Sequence, residues 1–419
     1  MRRNKFKARK FENLEERRMM AGDISFANGI LTITGDSLDD VAVVRFEEDE
    51  VHVDLTVQES DGGTDDHDET EEIADVAKIV FNGFAGDDRL TVFVDELDQG
   101  VTLNNVVLEF NGEGNNDELI QNNGGIKTTA LGGSGDDKLE GSRFDDILDG
   151  GANNDTYVFR GRNVGSDELR EAANVGTDTL DFSGFETFVS VDLESVFSAS
   201  NPDFAATAFM SNLRLKQLNA TGIEDVIGSA LTDTIRGNSR PNHFWGGGDN
   251  DKLAGRGGDD ILEGQAGNDT YEFAGVNLGT DDVVEDANTG EDHLRFSGMT
   301  TGLTIDISKS GPAFAVNSAN LKLRLSNESA IENVTGTQFG DSITGNSRDN
   351  TLRGVGGADA IRGLGGADTL EGGADNDVLF TDALDAAFGG IGRDFFDGFT
   401  EDPTRTNPSA ARYRDWGLL

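Results

Sequence analysis

The sequence predicts an all-β fold: a solenoid built from glycine- and aspartate-rich nonapeptide repeats, with β-strand segments between them. Three observations predict it. Blocks of nine residues recur in phase, as in GGGDNDKLA, GRGGDDILE and GQAGNDTYE over residues 246–272. Every block of the arrays carries an apolar residue at its eighth position. The stretches between arrays alternate apolar and polar residues, as in FVSVDL (188–193) and LTIDIS (303–308), which is the period of a half-buried strand.

The bulk composition agrees. The chain has 419 residues, long enough for two or more domains. Only 36% are hydrophobic, which argues against one large apolar core. Thirty-four basic residues stand against 79 acidic ones, a formal charge of −45. Such a chain repels nucleic acid and anionic membrane surfaces and attracts cations. There is no cysteine, so disulfides, thiolate metal sites and cysteine nucleophiles are excluded. No apolar run approaches the length of a transmembrane helix.

The elements follow in order. Residues 1–22 form a basic arm. Residues 23–131 form a β-rich, solenoid-like region with strand-like runs GILTITGD and VAVVRF. Its degenerate repeats are GFAGDDRLT (83–91) and GEGNNDELI (112–120), and its acidic stretch ESDGGTDDHDETEE (59–72) is expected to be a solvated loop. Array one spans 132–158, array two 228–272 and array three 336–397. The segments 159–227 and 273–335 connect them, and 398–419 is a C-terminal tail. A longer repeat overlies the short one: NDTYVF (154–159) returns as NDTYEF (268–273), and GIEDVIG (222–228) as AIENVTG (330–336). Tyr157, Phe159, Tyr271 and Phe273 close arrays one and two and are expected to cap the stacked coils.

One block explains the residue types. Glycines at positions one, two and four permit positive φ and close approach to an ion. Aspartate at position six presents a carboxylate as the turn ends. The x-apolar-x triplet that follows is a brief strand with one side chain inward. Two blocks make one coil, so the aspartate of block n stacks beside that of block n+2. The sixth position holds Asp137, Asp146 and Asp155 in array one, and Asp233, Asp251, Asp260 and Asp269 in array two. Array three supplies Asp341, Asp359, Asp368, Asp377 and Asp394, and the isolated copies supply Asp88 and Asp117. Asn242 and Asn350 take its place in one block each of arrays two and three. Stacked carboxylates repel, and a hard cation with oxygen ligands suits them. Calcium takes 6–8 oxygens at about 2.3–2.6 Å, whereas magnesium demands strict octahedral geometry. Zinc and copper favour histidine or cysteine, and the four histidines are scattered.

These blocks resemble the G-G-x-G-x-D-x-U-x nonapeptide of the RTX, or hemolysin-type, calcium-binding repeat family. The resemblance implies a parallel β-roll that holds several calcium ions (Ca2+) between successive turns, in a protein exported to the extracellular space or cell surface. It implies that the sixth-position aspartates are ligands. Carbonyls of loop glycines would join them: Gly132, Gly246, Gly248, Gly255, Gly257, Gly264, Gly354, Gly356, Gly363, Gly365 and Gly372. Blocks that depart from the pattern, such as GNSRPNHFW (237–245) and GSRFDDILD (141–149), should form weak sites or none. The segment FENLEERRMMAGD (11–23) is similar to one at the start of many exported planctomycete proteins, which implies that 1–22 is an export or targeting segment.

The chain contains no H-E-x-x-H, G-x-S-x-G or G-x-x-x-x-G-K-[ST] motif and no long non-repetitive stretch, so no enzyme is expected. Two functions fit. One is a secreted or cell-surface calcium-binding protein in a structural or adhesive role. The other is a non-catalytic accessory module, carbohydrate-binding or secretion-mediating, of an extracellular enzyme system. Calcium is the expected partner, with a cell-surface or matrix polysaccharide as the second candidate and nucleic acid excluded.

Overall fold

Each nonapeptide folds as a turn followed by a short strand, and successive strands alternate between two walls. In array two, Lys252–Ala254 stacks in parallel between Thr234–Arg236 and Thr270–Gly275 on one wall. On the facing wall Ile261–Ala266 stacks in parallel on His243–Gly248. Block n therefore lies against block n+2, 18 residues away. The structure, a computed structural model, describes residues 23–397 apart from 59–63, 99–100, 123–124, 163, 172–175, 196–205, 208–213, 218, 220, 287–289 and 317–320. The expected export segment 1–22 and the tail 398–419 lie outside the described residues.

The chain is a parallel β-roll of the solenoid type, with one wall of 18 strands and another of 14 among the described residues. A five-stranded sheet, from Thr304–Asp306 to Phe395–Asp397, supplies the second wall of array three. The connecting segments continue these walls. In the first, Arg214–Gln217 stacks in parallel on Ser166–Leu169, folds back antiparallel through Ala206–Thr207, and reaches Ser190–Asp192, on which Thr234–Arg236 resumes the array.

The inward residues form unbroken columns. Leu139, Tyr157, Leu180, Val226, Phe244, Leu262 and Val283 follow one another in register, so connecting segments and arrays contribute to one column. All are buried, as is every eighth-position residue of the three arrays up to Leu379. Continuity changes the role of the array-closing aromatics. Tyr157, Phe159, Tyr271 and Phe273 are not caps, because the next rung covers them. Phe159 stacks on Phe182 at 5.3 Å, and Phe273 on Phe296 at 5.2 Å.

The N-terminal end differs from expectation. The acidic stretch is not a loop over its described length: Thr64–Glu72 is a strand, paired antiparallel with Glu50–Gln58 through nine residues. Glu50–Gln58 buries Val51, Val53, Leu55 and Val57 in the core. Its other edge offers a ready row of backbone donors and acceptors, which the acidic segment satisfies. Thr56 Oγ1 also donates to Asp66 Oδ1 at 2.9 Å. A strand so charged blocks further pairing at the sheet edge. Among the described residues no helix is long and apolar enough to cross a membrane.

Candidate calcium-binding turns

Block 246–254 and the block stacked on it, 264–272, show the unit of the site. The amide of Asp251 donates to Asp269 Oδ1 at 2.7 Å. The second oxygen, Asp251 Oδ2, folds back over its own position-one glycine, Gly246. A Cβ at Gly246 would also lie 2.8 Å from the carbonyl oxygen of Gly264 on the next rung. Carboxylate and carbonyl thus converge on the space a side chain would fill. This close approach, and not a left-handed backbone, is why position one is glycine. Positive φ falls at positions two and four, as at Gly247 (φ 109°), Gly258 (127°) and Gly267 (149°). Arg256 (71°), Gln265 (72°) and Val355 (88°) adopt it at position two, held by the rung hydrogen bonds on either side.

The same amide-to-carboxylate bond repeats along both edges of the coil. On one edge it joins Asp88 to Asp117, Asp117 to Asp137 and Asp137 to Asp155, each at 2.8 Å. On the other it joins Asp233 to Asp251 at 2.6 Å. In array three it joins Asp341 to Asp359, Asp359 to Asp377 and Asp377 to Asp394 at 2.7, 2.9 and 3.1 Å. The Oδ2 atoms of Asp88, Asp117, Asp137, Asp155, Asp251 and Asp260 are buried with no hydrogen-bond partner. Those of Asp269, Asp359, Asp368 and Asp377 are in the same state.

Burial without a counter-charge perturbs these groups. It pushes Asp117 and Asp251 up to about 8, although the backbone amide bond pulls down and the neighbouring carboxylates push further up. Asp88, Asp155, Asp260 and Asp359 rise to about 7 by the same cause. Asp137, Asp368 and Asp377 rise to about 6.

Three of the sequence-predicted aspartates are built differently. Asp146, Asp233 and Asp341 follow turns with serine or threonine at position two, and both of their oxygens accept hydrogen bonds. Asp146 Oδ2 accepts from the Ser142 amide at 2.6 Å, Asp233 Oδ2 from Ser229 at 2.5 Å and Asp341 Oδ2 from Thr337 at 2.6 Å. Their Oδ1 atoms accept from the Thr128, Val189 and Leu303 amides. These turns close on themselves. Gly248, Gly257, Gly356 and Gly365 occupy position three. What lies against each belongs to a neighbouring rung rather than to its own aspartate.

Sequence reading missed part of the ladder. Asp155 donates to Asp178, Asp178 to Glu224, Asp260 to Asp281, Asp269 to Asp292 and Asp292 to Glu332. These acceptors lie 21 to 46 residues away, because connecting segments are inserted between rungs. A signal survives nonetheless: each precedes an inward apolar residue by two, as Asp178 precedes Leu180. A second, exposed ladder uses position five, with Thr280 donating to Asp259 Oδ1 and Asn268 to Asn250 Oδ1. The adjacent aspartates Asp259 and Asp260 therefore serve separate ladders.

The degenerate blocks carry their own cation. In GNSRPN, Arg240 pairs with Glu224 Oε1 at 2.5 Å and donates to the Thr221 carbonyl at 2.9 Å. In GNSRDN, Arg348 pairs with Glu332 at 2.5 Å and donates to the Ser329 carbonyl at 2.9 Å. A guanidinium thus meets a buried carboxylate and a turn carbonyl where the array has lost its aspartate to Asn242 or Asn350.

The donor set fits calcium. Buried, unpartnered carboxylate oxygens beside glycine carbonyls are hard oxygen ligands, with no nitrogen or sulfur among them. The family model of the RTX calcium-binding nonapeptide repeat (4 copies) matches residues 131–160, 227–262, 236–271, 335–370 and 344–379. No curated protein matches the chain. By fold, turn chemistry and these matches, the three arrays are RTX calcium-binding nonapeptide repeats, and the chain is a calcium-binding repeat protein.

Proposed function

We propose that this protein is secreted or displayed at the cell surface, that its β-roll folds on several calcium ions held between stacked turns, and that it serves a non-catalytic structural or adhesive role. The row of buried, unpartnered Oδ2 atoms carries the reading. Neighbouring rungs lie about one strand spacing apart, roughly 5 Å. Two bare carboxylates at that distance repel by on the order of 3 kcal/mol at an effective dielectric of about 20. Repeated along each edge, this opposes folding until a cation intervenes.

The ligands proposed are the aspartates with an orphaned oxygen: Asp88, Asp117, Asp137, Asp155, Asp251, Asp260, Asp269, Asp359, Asp368 and Asp377. Carbonyls of the position-one glycines Gly132, Gly246, Gly255, Gly264, Gly354, Gly363 and Gly372 join them. Asp146, Asp233 and Asp341 instead close their turns by hydrogen bonds, and Asp394 is the last acceptor of the ladder among the described residues. Extracellular calcium modules bind with dissociation constants of about 10⁻⁴–10⁻³ M. At ten to a hundred times that constant each site adds about 1.4–2.7 kcal/mol. Several sites together match the stability of a whole domain, so the chain stays unfolded where calcium is scarce and folds after export.

The test is a calcium titration of the chelator-stripped protein, followed by far-UV circular dichroism and calorimetry. A cooperative gain of β signal, saturating at several ions per chain, is expected. An unchanged β-rich spectrum with no heat of binding would end this reading. Calcium-dependent binding to a polysaccharide array would move the role from structural to accessory carbohydrate-binding module.

A further inference from the structure

Arrays one and two both end on a turn unlike the others. On most other rungs the residue stacked over a position-one glycine is a second glycine, as Gly264 over Gly246 or Gly389 over Gly372, and on the rest it carries no charge, as Phe159 over Gly141, Phe273 over Gly255 and Thr381 over Gly363. Over Gly150 the register instead places Glu171, two residues beyond the Leu148–Leu169 pair. Over Gly264 it places Glu285, two beyond Leu262–Val283. A glutamate side chain therefore enters the space where the aspartate oxygen and the turn converge.

The result is the same in both copies. Carboxylate oxygens of Asp155, Glu171 and Asp178 lie within 4.8 Å of one another, and so do those of Asp269, Glu285 and Asp292. All six side chains are more than nine-tenths buried. Asp155 Oδ2 and Glu171 Oε2 in the first, and both Asp269 Oδ2 and Asp292 Oδ2 in the second, have no hydrogen-bond partner. A tyrosine fixes each glutamate. Tyr157 Oη donates to Glu171 Oε1 and accepts from the Gly150 amide at 2.8 Å; Tyr271 Oη donates to Glu285 Oε1 and accepts from the Gly264 amide at 2.7 Å. Array three has Leu379 at the tyrosine position and Gly389 at the glutamate position, and forms no such cluster among the described residues. No array-internal rung combines three carboxylates in this way, and the nonapeptide motif does not contain the glutamate.

We propose that Asp155–Glu171–Asp178 and Asp269–Glu285–Asp292 are two composite cation sites, in which a glutamate and an aspartate of the following segment join the last turn aspartate of the array, each taking one calcium ion, and that they fill first and clamp each array to the segment following it. A third carboxylate raises the ligand charge, and burial with the tyrosine bond fixes the geometry; both are the levers that tighten calcium sites. The glutamate comes from the connecting segment, so the ion cross-links that segment to the last turn. The proposal takes the identity of the ion, and the turn aspartates Asp155 and Asp269, from the calcium reading above, but Glu171, Asp178, Glu285 and Asp292 stand apart from the repeat motif.

Terbium(III), a calcium-sized luminescent probe, tests this on the full chain. Tyr157 and Tyr271 are two of three tyrosines and touch the proposed ligands. Tyrosine-sensitised emission should rise over the first two equivalents, and calorimetry with calcium should resolve two tight ions before the weaker ones. The double variant Glu171→Gln, Glu285→Gln should weaken those two by about ten- to a hundredfold and keep the rest. Asp251→Asn, in a plain rung, should keep the two tight ions and lose weaker binding. Absence of early tyrosine-sensitised emission in the unmodified protein overturns the proposal without recourse to a variant, as do two tight ions that survive the double substitution. If the two tight ions bind but no weaker phase exists, the repeat reading fails and this one stands. If only weak ions bind, the reverse holds.

Discussion

Remove calcium with a chelator and the pH dependence of stability should invert. Folding raises Asp117 and Asp251 from 3.8 to about 8, chiefly by burial. A carboxyl raised in this way favours the folded state only while protonated. Its contribution is complete below its unfolded value and disappears as pH climbs through the folded one. Four units at about 1.4 kcal/mol each make on the order of 6 kcal/mol per rung. Two such rungs already match the roughly 5–15 kcal/mol that holds a typical domain together. Asp88, Asp260 and Asp359, raised to about 7, add losses over the same window. The chelated protein should therefore melt well below its acid value at about pH 8 and gain β structure on acidification to about pH 5. With saturating calcium the ions hold the carboxylates ionised and protons compete with them, so stability should fall as pH falls. Thermal melts followed by far-UV circular dichroism, at both pH values with and without calcium, decide the matter. A chelated protein that melts at the same temperature at both, or higher at the alkaline one, would refute the reasoning: the buried oxygens would then be neutralised by something other than protons or cations.

The other expectations concern single positions. At Gly363 an added Cβ would lie 2.6 Å from Asp368 Cγ, whereas at Gly365 nothing comes nearer than 4.0 Å. Gly363→Ala should cost about 1–3 kcal/mol and weaken calcium binding. Gly365→Ala should stay within about 0.5 kcal/mol; equal melting temperatures for the two would contradict the convergence described at position one. Leu262→Ala empties part of the core column and should cost about 2–5 kcal/mol, with the number of calcium ions per folded chain unchanged by calorimetry. Arg240→Met leaves the buried Glu224 carboxylate without its guanidinium and should cost about 3 kcal/mol. That loss should be read in saturating calcium at about pH 8; on acidification it should shrink, because burial raises Glu224 to about 7 even beside the arginine and the abandoned carboxyl takes up a proton.

The nonapeptide phase, the alternation of wall strands and the inward eighth position were legible in the amino-acid order, because each depends on neighbours within one block. The sixth-position aspartates were legible for the same reason. The rest of the ladder was not: Asp178, Glu224, Asp281, Asp292 and Glu332 are brought into line only after insertions of differing length, so the nonapeptide period does not mark them. The acidic stretch became a strand at Thr64–Glu72 because its partner offered unpaired backbone groups, a property of the neighbour and not of the segment. Asp146 and Asp233 hold the same sixth position as Asp251, yet the amide of a serine at position two of their turns satisfies the oxygen that Asp251 leaves bare. Glu171 and Glu285 carry no nonapeptide signature; only their equal spacing of 14 residues from Tyr157 and Tyr271 marks them within the longer repeat. What places them beside Asp155 and Asp269 is the register of stacked coils, where a residue's neighbours are set by backbone hydrogen bonds between rungs and not by distance along the chain.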